Sequence, residues 1–199
     1  MAKLRRAKDQ IEQGLGHEGI QFGEALAKET DRGCALIAAE FISDTLEQYF
    51  RREMHAKGAS ENEIRDFLTS AAAPLGNFSP RIKAAYWFGL IGKNTYGALD
   101  NIKEIRNQCA HRAGPIDFTD TELAVYVRGL GDYWAGKVAI NSEEAGFVGA
   151  IRNTDGYSPQ RLVFTRCATM AFLTVRILAV NPPEVVRTIA PGTIFDGKW

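Results

Sequence analysis

The sequence predicts an all-α protein, a single-domain bundle of about six to eight helices. Apolar residues recur at spacings of three and four through most of the chain, as one face of a helix requires. Residues that favour helix starts precede several of these stretches. No stretch alternates convincingly between apolar and polar residues, as a half-buried strand would, and no internal repeat is visible.

The composition suits one folded domain and does not indicate a nucleic-acid-binding surface. With 199 residues, 45% hydrophobic and 24% charged, the chain can bury a sizeable core. Basic and acidic residues number 24 each, so the formal net charge is zero. Proteins that bind nucleic acid alone usually carry a basic excess, since phosphate neutralisation supplies much of the affinity. We therefore expect direct nucleic-acid binding to be weak or absent.

Two segments bear on the cellular location. Residues 1–8 are basic, but no apolar run follows them, which argues against a secretory signal. The most apolar segment, 162–180, contains Arg166 and Arg176, each of which would cost about 2.5–3.5 kcal/mol at the centre of a bilayer. We expect a cytoplasmic protein in which this segment is a core or interface helix and does not span a membrane.

The cysteines and histidines do not indicate a metal site. Cys34, Cys109 and Cys167 lie far apart in apolar stretches, so we predict three buried thiols. No Cys-x-x-Cys pair occurs, and His17 and His55 have no partners at metal-ligand spacing. We expect neither a metal nor a cofactor.

Two helices are predicted before residue 60. A short one covers about residues 18–28, and Asp31 caps a longer one that runs to about Met54. Cys34, Ile37 and Phe41 widen its apolar face, so we expect this helix to be central. The face itself consists of Ala35, Ala38, Ile42, Leu46 and Tyr49.

Capping signals open the next two helices. Ser60 and Glu63 form a capping-box pattern at the start of a helix through about Ala72. After a break, Ser79 as N-cap and Pro80 in the first helical position start another. The aromatic run that follows is predicted to pack in the core and not to stack on bases, because few basic residues adjoin it. That run is Tyr86, Trp87 and Phe88.

The second half of the chain predicts three more helices. One covers about residues 95–111, and Thr119 with Glu122 repeats the capping-box signature before a helix to about Leu130. Ser158 and Pro159 then open the last long helix, which is apolar almost all round and so requires burial on several sides. A homodimer would supply that burial, and we expect one. The predicted organisation is a single domain over 1–199, with a core at 28–130, an irregular connection at 131–158, the long helix at 159–180 and a tail at 181–199.

One short motif could carry chemistry: Arg106, Asn107 and His111 at a predicted helix C-terminus. In metal-free RNA cleavage, a histidine would take the proton of a ribose 2′-hydroxyl and an arginine would stabilise charge on the phosphate. Arg106 lies about 140° round the helix from His111, so a joint site needs a long reach or a second subunit. The alternative is structural: Arg106 pairs with Asp100 or Glu104, and His111 interacts with the helix dipole.

A second candidate is the loop before the fourth predicted helix. Asn77, Ser79 and Arg81 could line a binding site there. A turn that leads into a helix cap explains the same residues equally well.

Three segments together resemble the mannitol operon repressor family of bacterial proteins. They are residues 29–39, 74–91 and 102–111, and the resemblance extends in the same order over roughly 28–130. It implies an all-helical fold and a role in transcriptional control. That family lacks an obvious DNA-reading helix-turn-helix, and none is evident here. The resemblance therefore implies a non-enzymatic regulator or interaction module that acts through another regulatory protein.

The Arg-Asn-x-x-x-His stretch is also similar to the HEPN superfamily, helical domains that include dimeric endoribonucleases. In those enzymes the positions matching Arg106, Asn107 and His111 form the active site. Cys109 stands where relatives often carry an aromatic residue, which changes the local packing but leaves the polar triplet intact. A metal-independent endoribonuclease acting on RNA is thus the alternative to the non-enzymatic function that we expect.

Overall fold

The structure is a computed structural model that describes residues 17–134 and 156–180. All regular secondary structure in these ranges is helical, which confirms the predicted fold class. The helices are α1 (17–27), α2 (Asp31–Ala56), α3 (Glu61–Leu68), α4 (Phe78–Trp87), α5 (Lys93–His111), α6 (Thr121–Trp134) and α7 (Pro159–Val180). The remaining residues, which include the predicted tail and most of the predicted irregular connection, lie outside this description.

Helix α2 is the centre of the bundle, as its broad apolar face predicts. It packs against α3, α4, α5 and α7, while α6 closes the bundle by packing on α5 and α7. Phe41 is an exception, because 49% of its surface is exposed and it contacts Phe22 of α1 only edge-on, at 5.8 Å. It lies at the border of the apolar face, where α1 covers it incompletely. The buried face is Ala35, Ala38, Ile42, Leu46 and Tyr49.

The N-cap of α2 is Thr30 and not Asp31. The Thr30 hydroxyl accepts a hydrogen bond from the Gly33 N–H at 3.1 Å, which satisfies one of the free amides of the first turn. Asp31 becomes the first helical residue. Its carboxylate is therefore available for contacts outside the helix.

Those contacts form a buried network at one end of the bundle. Asp31 pairs with Arg161 of α7 through one oxygen and accepts the Phe118 N–H at 2.8 Å through the other. Arg161, which is buried, also donates to the carbonyls of Leu26 at 3.2 Å and Glu29 at 2.5 Å. The network thus joins the starts of α2 and α7, the end of α1 and the loop between α5 and α6.

A second arginine closes the same end. Arg32 donates to the carbonyl of Arg112 at 2.9 Å and to that of Gly114. Both acceptors lie just after α5, where the chain leaves the helix. Carbonyls at a helix end have no intrahelical donor, so Arg32 satisfies groups that the fold would otherwise leave open.

The start of α3 matches the prediction and its end does not. Ser60 accepts from the Glu63 N–H, and Glu63 accepts from the Ser60 N–H at 2.8 Å, which is the predicted capping box. The helix ends at Leu68 and not near Ala72. At Thr69, the C-cap, the backbone leaves the helical conformation with a φ of −135°, and the Thr69 hydroxyl donates to a carbonyl of the last turn at 3.3 Å.

Helix α4 begins earlier than predicted. Its N-cap is Asn77 and its first residue is Phe78, so Ser79 is not the cap. Pro80 consequently lies in the third helical position. Proline is tolerated there, because amides of the first turn have no intrahelical acceptor.

Helix α6 is capped by Asp120 and not by Thr119. The Asp120 carboxylate accepts the Glu122 N–H at 3.1 Å, while the Thr119 hydroxyl donates to Asp117 at 2.5 Å. A carboxylate is the stronger acceptor, and Asp120, not Thr119, directly precedes the first helical residue. The helix continues to Trp134, so the first residues of the predicted connection at 131–158 are helical.

Helix α7 begins at Pro159, as predicted, with Ser158 accepting the Arg161 N–H at 3.1 Å. It is long and apolar enough to cross a membrane, but most of it is buried within the bundle against α2 and α6. Arg176 is neutralised by Glu18 of α1 at 2.7 Å. The apolar faces of α7 are thus largely covered within the chain. The homodimer stays a prediction, but the burial of α7 does not require it.

The aromatic run at the end of α4 is the clearest departure from the predicted core. Trp87 and Phe88 are 79% and 73% exposed, whereas Tyr86 is half-buried. Helix α4 ends at Trp87, and Gly89 takes a φ of +70° that reverses the chain direction. Ile91 enters the core after that turn.

The buried ion pair yields a stability prediction. We expect Asp31→Ala to lower the free energy of unfolding by about 3–5 kcal/mol, because Arg161 would be left charged and buried without its partner. Urea denaturation followed by circular dichroism measures the change. The matched control is Glu18→Ala, which removes the partly exposed partner of Arg176 and should cost no more than about 1 kcal/mol. Equal, small losses in both variants would contradict the role given to Asp31.

Candidate functional site

A cleft of about 300 Å³ lies between α2, α4 and α5. It brings together residues that the sequence placed in two separate hypotheses, since Asn77 and Arg81 line it together with Arg106. Helix α2 supplies the opposite wall. That wall carries three carboxylates, those of Glu40, Asp44 and Glu47.

Arg81 forms the floor of this cleft and is 5% exposed. Its Nε donates to the carbonyl of Leu75 at 2.8 Å, and one terminal nitrogen donates to the carbonyl and hydroxyl of Ser43 at 3.2 and 2.9 Å. The other donates to the carbonyl of Leu68 at 3.1 Å and pairs with Glu47 at 2.6 Å. Every N–H of the guanidinium therefore has a protein acceptor, and Arg81 joins α2, α3 and α4.

The other two carboxylates of the wall have no such partner. Neither Glu40 nor Asp44 forms an ion pair with any residue of 17–134 or 156–180. Burial raises the pKa of Asp44, and the like charges of Glu40 and Glu47 raise it further, against a smaller lowering by Arg81. Two of the three carboxylates of the wall, Glu40 and Asp44, thus lack an ion-pair partner among the described residues, whereas Glu47 pairs with Arg81 and Arg51.

Arg106 lies half-buried at the edge of the cleft. Its guanidinium donates to the Asn107 side-chain oxygen at 3.4 Å, a long hydrogen bond. The acids that the sequence offered as partners, Asp100 and Glu104, bind Lys103 at 2.5 and 2.9 Å. Arg106 therefore faces the carboxylate wall of α2 and not the acids of its own helix.

His111 does not share this cleft. It is exposed in the last turn of α5 and is not among the lining residues, so it and Arg106 point in different directions. Five helical residues correspond to a rotation of about 140°, in agreement with that separation. Within the described residues, the cleft thus includes Arg106 but not His111.

Asn77 and Ser79, the other two residues of the predicted binding loop, differ in exposure. Asn77 is exposed at the mouth of the cleft, and its side chain makes no capping bond to α4. Ser79 is half-buried in the first turn and does not line the cleft. Of the predicted binding residues, the structure brings Asn77 and Arg81 together with Arg106.

The buried cysteines are confirmed and are poor nucleophiles. Burial raises the pKa of Cys34 and Cys167 to about 12 and that of Cys109 to about 11, so the thiols stay protonated near neutrality. Across residues 17–134 and 156–180, no three His, Cys, Asp or Glu side chains are grouped as metal ligands.

A second recess, which we call the aromatic groove, lies between α1, α2 and α7 and measures about 430 Å³. Phe22, Phe41 and Phe172 line it, with Phe22 stacked on Phe172 at 4.4 Å between ring centroids. Asp44 stands on its rim and so borders both recesses. Sequence reasoning missed this groove because its residues come from three distant segments.

The exposed pair Trp87 and Phe88, which we call the aromatic knob, is the third feature. The Trp87 ring contacts Tyr86 edge-on at 5.2 Å, and Tyr86 packs on Tyr96 of α5 at 4.6 Å. The knob is thus supported from below by two half-buried tyrosines.

Comparison with known proteins identifies the fold. No protein-family model and no curated protein matches the sequence. Among solved structures, the chain is similar to MtlR in the X-ray structure of the MtlR–HPr complex from Escherichia coli, with a TM-score of 0.56 and 16% identity. The match covers 82% of this chain and 99% of that one. It confirms a mannitol-repressor-like fold and does not bear on the HEPN resemblance.

The raised pKa of Asp44 leads to a prediction with a defined sign. A carboxyl whose pKa is raised by folding destabilises the native state when it is charged, and this cost disappears as pH falls towards its ordinary pKa of 3.8. We therefore expect Asp44→Asn to raise the thermal unfolding midpoint at pH 7 and to have no effect near pH 3. Fluorescence-detected melts at submicromolar protein concentration measure both values.

Asp117→Asn is the control with the opposite sign. Hydrogen bonds from the Thr119 hydroxyl and N–H lower the pKa of Asp117, so its charge stabilises the native state above its ordinary pKa. This variant should lower the midpoint at pH 7. A lower midpoint in Asp44→Asn at pH 7 would contradict the account of the carboxylate wall.

Proposed function

We propose that this protein is a non-enzymatic regulatory module that acts by binding another protein. The observation that carries the proposal is the carboxylate wall opposite Arg106. A site for RNA cleavage collects positive charge and hydrogen-bond donors around the phosphate. Here the recess next to the triplet presents Glu40, Asp44 and Glu47 instead.

The arginines of the cleft do not offset this wall. All donors of Arg81 are taken by protein acceptors, which leaves Arg106 to face the unpaired carboxylates of Glu40 and Asp44. The carboxylates of Glu40 and Asp44, which lack an ion pair and line the same cleft, would repel an incoming anion. The cleft therefore suits a cationic or neutral polar group better than a phosphate.

The fold likeness supports a protein as the partner. MtlR, a regulator with the same fold, is in complex with HPr in the similar structure. For this chain we accordingly propose a regulatory protein as partner, a role in transcriptional control and a cytoplasmic location. Zero net charge supports indirect control over direct DNA recognition.

The alternative, a HEPN-type endoribonuclease, is favoured by one observation. Arg106 is hydrogen-bonded to Asn107, and Asn107 shares a helical face with the exposed His111. Because Arg106 and His111 do not converge within one chain, this activity would require a second copy to complete the site.

RNA cleavage distinguishes the two functions. We expect the purified protein to leave a mixed-sequence RNA pool intact, with and without chelator, and Arg106→Ala and His111→Ala to behave alike in this assay. In thermal melts, Arg106→Ala should cost more stability than His111→Ala, because Arg106 is half-buried and His111 is exposed. Losing an exposed helix-end histidine should cost no more than about 0.3–1 kcal/mol.

Isothermal titration calorimetry with HPr tests for a protein partner. Saturable binding would support the proposal that this protein acts by binding another protein. Chelator-resistant cleavage that both substitutions reduce by about 10²–10⁴, with folding intact, would replace this proposal with the endoribonuclease.

A further inference from the structure

The aromatic knob has the properties of an interaction surface. Trp87 and Phe88 are adjacent in sequence and about three-quarters exposed. A contiguous pair of large aromatic side chains in water is costly, and such residues dominate the energy of protein interfaces. Tyr86 and Tyr96 pack beneath them, so the knob projects from a supported base.

Two exposed lysines flank this knob in the sequence, Lys83 before it and Lys93 after it. Lys83 lies one turn before Trp87 on α4, and the exposed Lys93 is the first residue of α5, whose N-terminus adds the positive end of the helix dipole. Neither lysine forms an ion pair within the described residues. The knob is therefore an apolar centre with a cationic rim.

The aromatic groove has the complementary character. Phe22, Phe41 and Phe172 provide an apolar lining, and its volume falls in the range of about 300–1,000 Å³ typical of recesses that enclose a bulky group. Asp44 stands on the rim, and the exposed Glu40 precedes it by one turn of α2. Arg176, also in the lining, is already neutralised by Glu18, so the uncompensated rim charge is negative.

We propose that a second copy of this chain occupies the groove: the knob of one copy docks into the aromatic groove of the other. The rings of Trp87 and Phe88 would meet Phe41, and the cationic rim of the knob would meet Asp44 and Glu40. An interface between two knobs would bring lysines together, and an interface between two grooves would bring carboxylates together. Both alternatives are unfavourable because like charges repel. The unlike pairing alone matches both shape and charge.

The area available favours two reciprocal contacts. A tryptophan or phenylalanine buries about 150–250 Å². One knob in one groove therefore stays well below the roughly 1,200–2,000 Å² of a stable interface, whereas two knobs in two grooves approach it. A closed two-fold dimer, in which each copy gives a knob and receives one, satisfies this requirement. This dimer goes beyond the proposed regulatory function and does not use Arg106 or His111.

Sedimentation velocity over a range of micromolar concentrations tests the proposal. The wild type should shift from one chain to two as its concentration rises. The knob variant Trp87→Ala/Phe88→Ala and the groove variant Phe41→Lys should each associate roughly 30-fold or more weakly, as hot-spot losses do. Phe67→Lys is the matched control, since Phe67 is a similarly exposed phenylalanine on α3 and should leave association unchanged.

Mixing the two variants gives the decisive result. The knob variant keeps its groove and the groove variant keeps its knob, so a mixed pair retains one intact contact where each variant alone has none. We expect the equimolar mixture to associate at least about tenfold more tightly than either variant. An interface that uses only knobs, or only grooves, would not produce this gain.

Circular dichroism melts establish that the variants fold, and Asp44→Asn provides a second groove variant that should weaken association severalfold. A monomeric wild type at every concentration would overturn the proposal. The same holds for a groove variant that dimerises like the wild type, or for a mixture that associates no better than its components.

Discussion

The bundle depends on a buried ion pair between Asp31 and Arg161, whose positions in the sequence are 130 residues apart. A charge taken out of water costs several kcal/mol unless its hydrogen-bonding capacity is filled, so the two segments must meet in one arrangement. Both carboxylate oxygens are used, and a terminal nitrogen of the guanidinium also binds the carbonyls of Leu26 and Glu29, whereas the buried Nε of Arg161 has no hydrogen-bond partner in the described residues. Helix α7 is thereby tied to α2 at this end of the bundle, and the two helices also pack against each other.

The need to pair buried charges also determines the structure of the candidate site. Arg81 fills the floor of the cleft and gives every donor to the protein, which leaves the partly exposed Arg106 facing a wall of carboxylates. The polar recess is therefore ill-suited to phosphate. Among the described residues, the knob at Trp87 and the groove at Phe41 combine exposed aromatic rings with nearby charged residues, and this is the character of protein interfaces.

The spacing of apolar residues by three and four predicted the helices and most of the core, because a continuous apolar face of a helix is buried when the helix packs. It does not decide which of two neighbouring polar residues caps a helix. Asp31 is the stronger N-cap by local preference, yet Thr30 caps the helix and Asp31 pairs with Arg161, a residue far along the chain. Nor could local pattern predict the exposure of Trp87, which depends on where α4 ends, or the cleft, which joins Arg81 to Arg106 across two helices.

We propose that these surfaces bind protein and not nucleic acid. The most direct test of this proposal is the fluorescence anisotropy of labelled duplex DNA and single-stranded RNA titrated with the purified protein at physiological salt. We expect no saturation at submicromolar protein and no difference between wild type and Arg106→Ala, since few phosphates could be neutralised. Submicromolar, sequence-specific binding that Arg106→Ala abolishes would contradict the proposal.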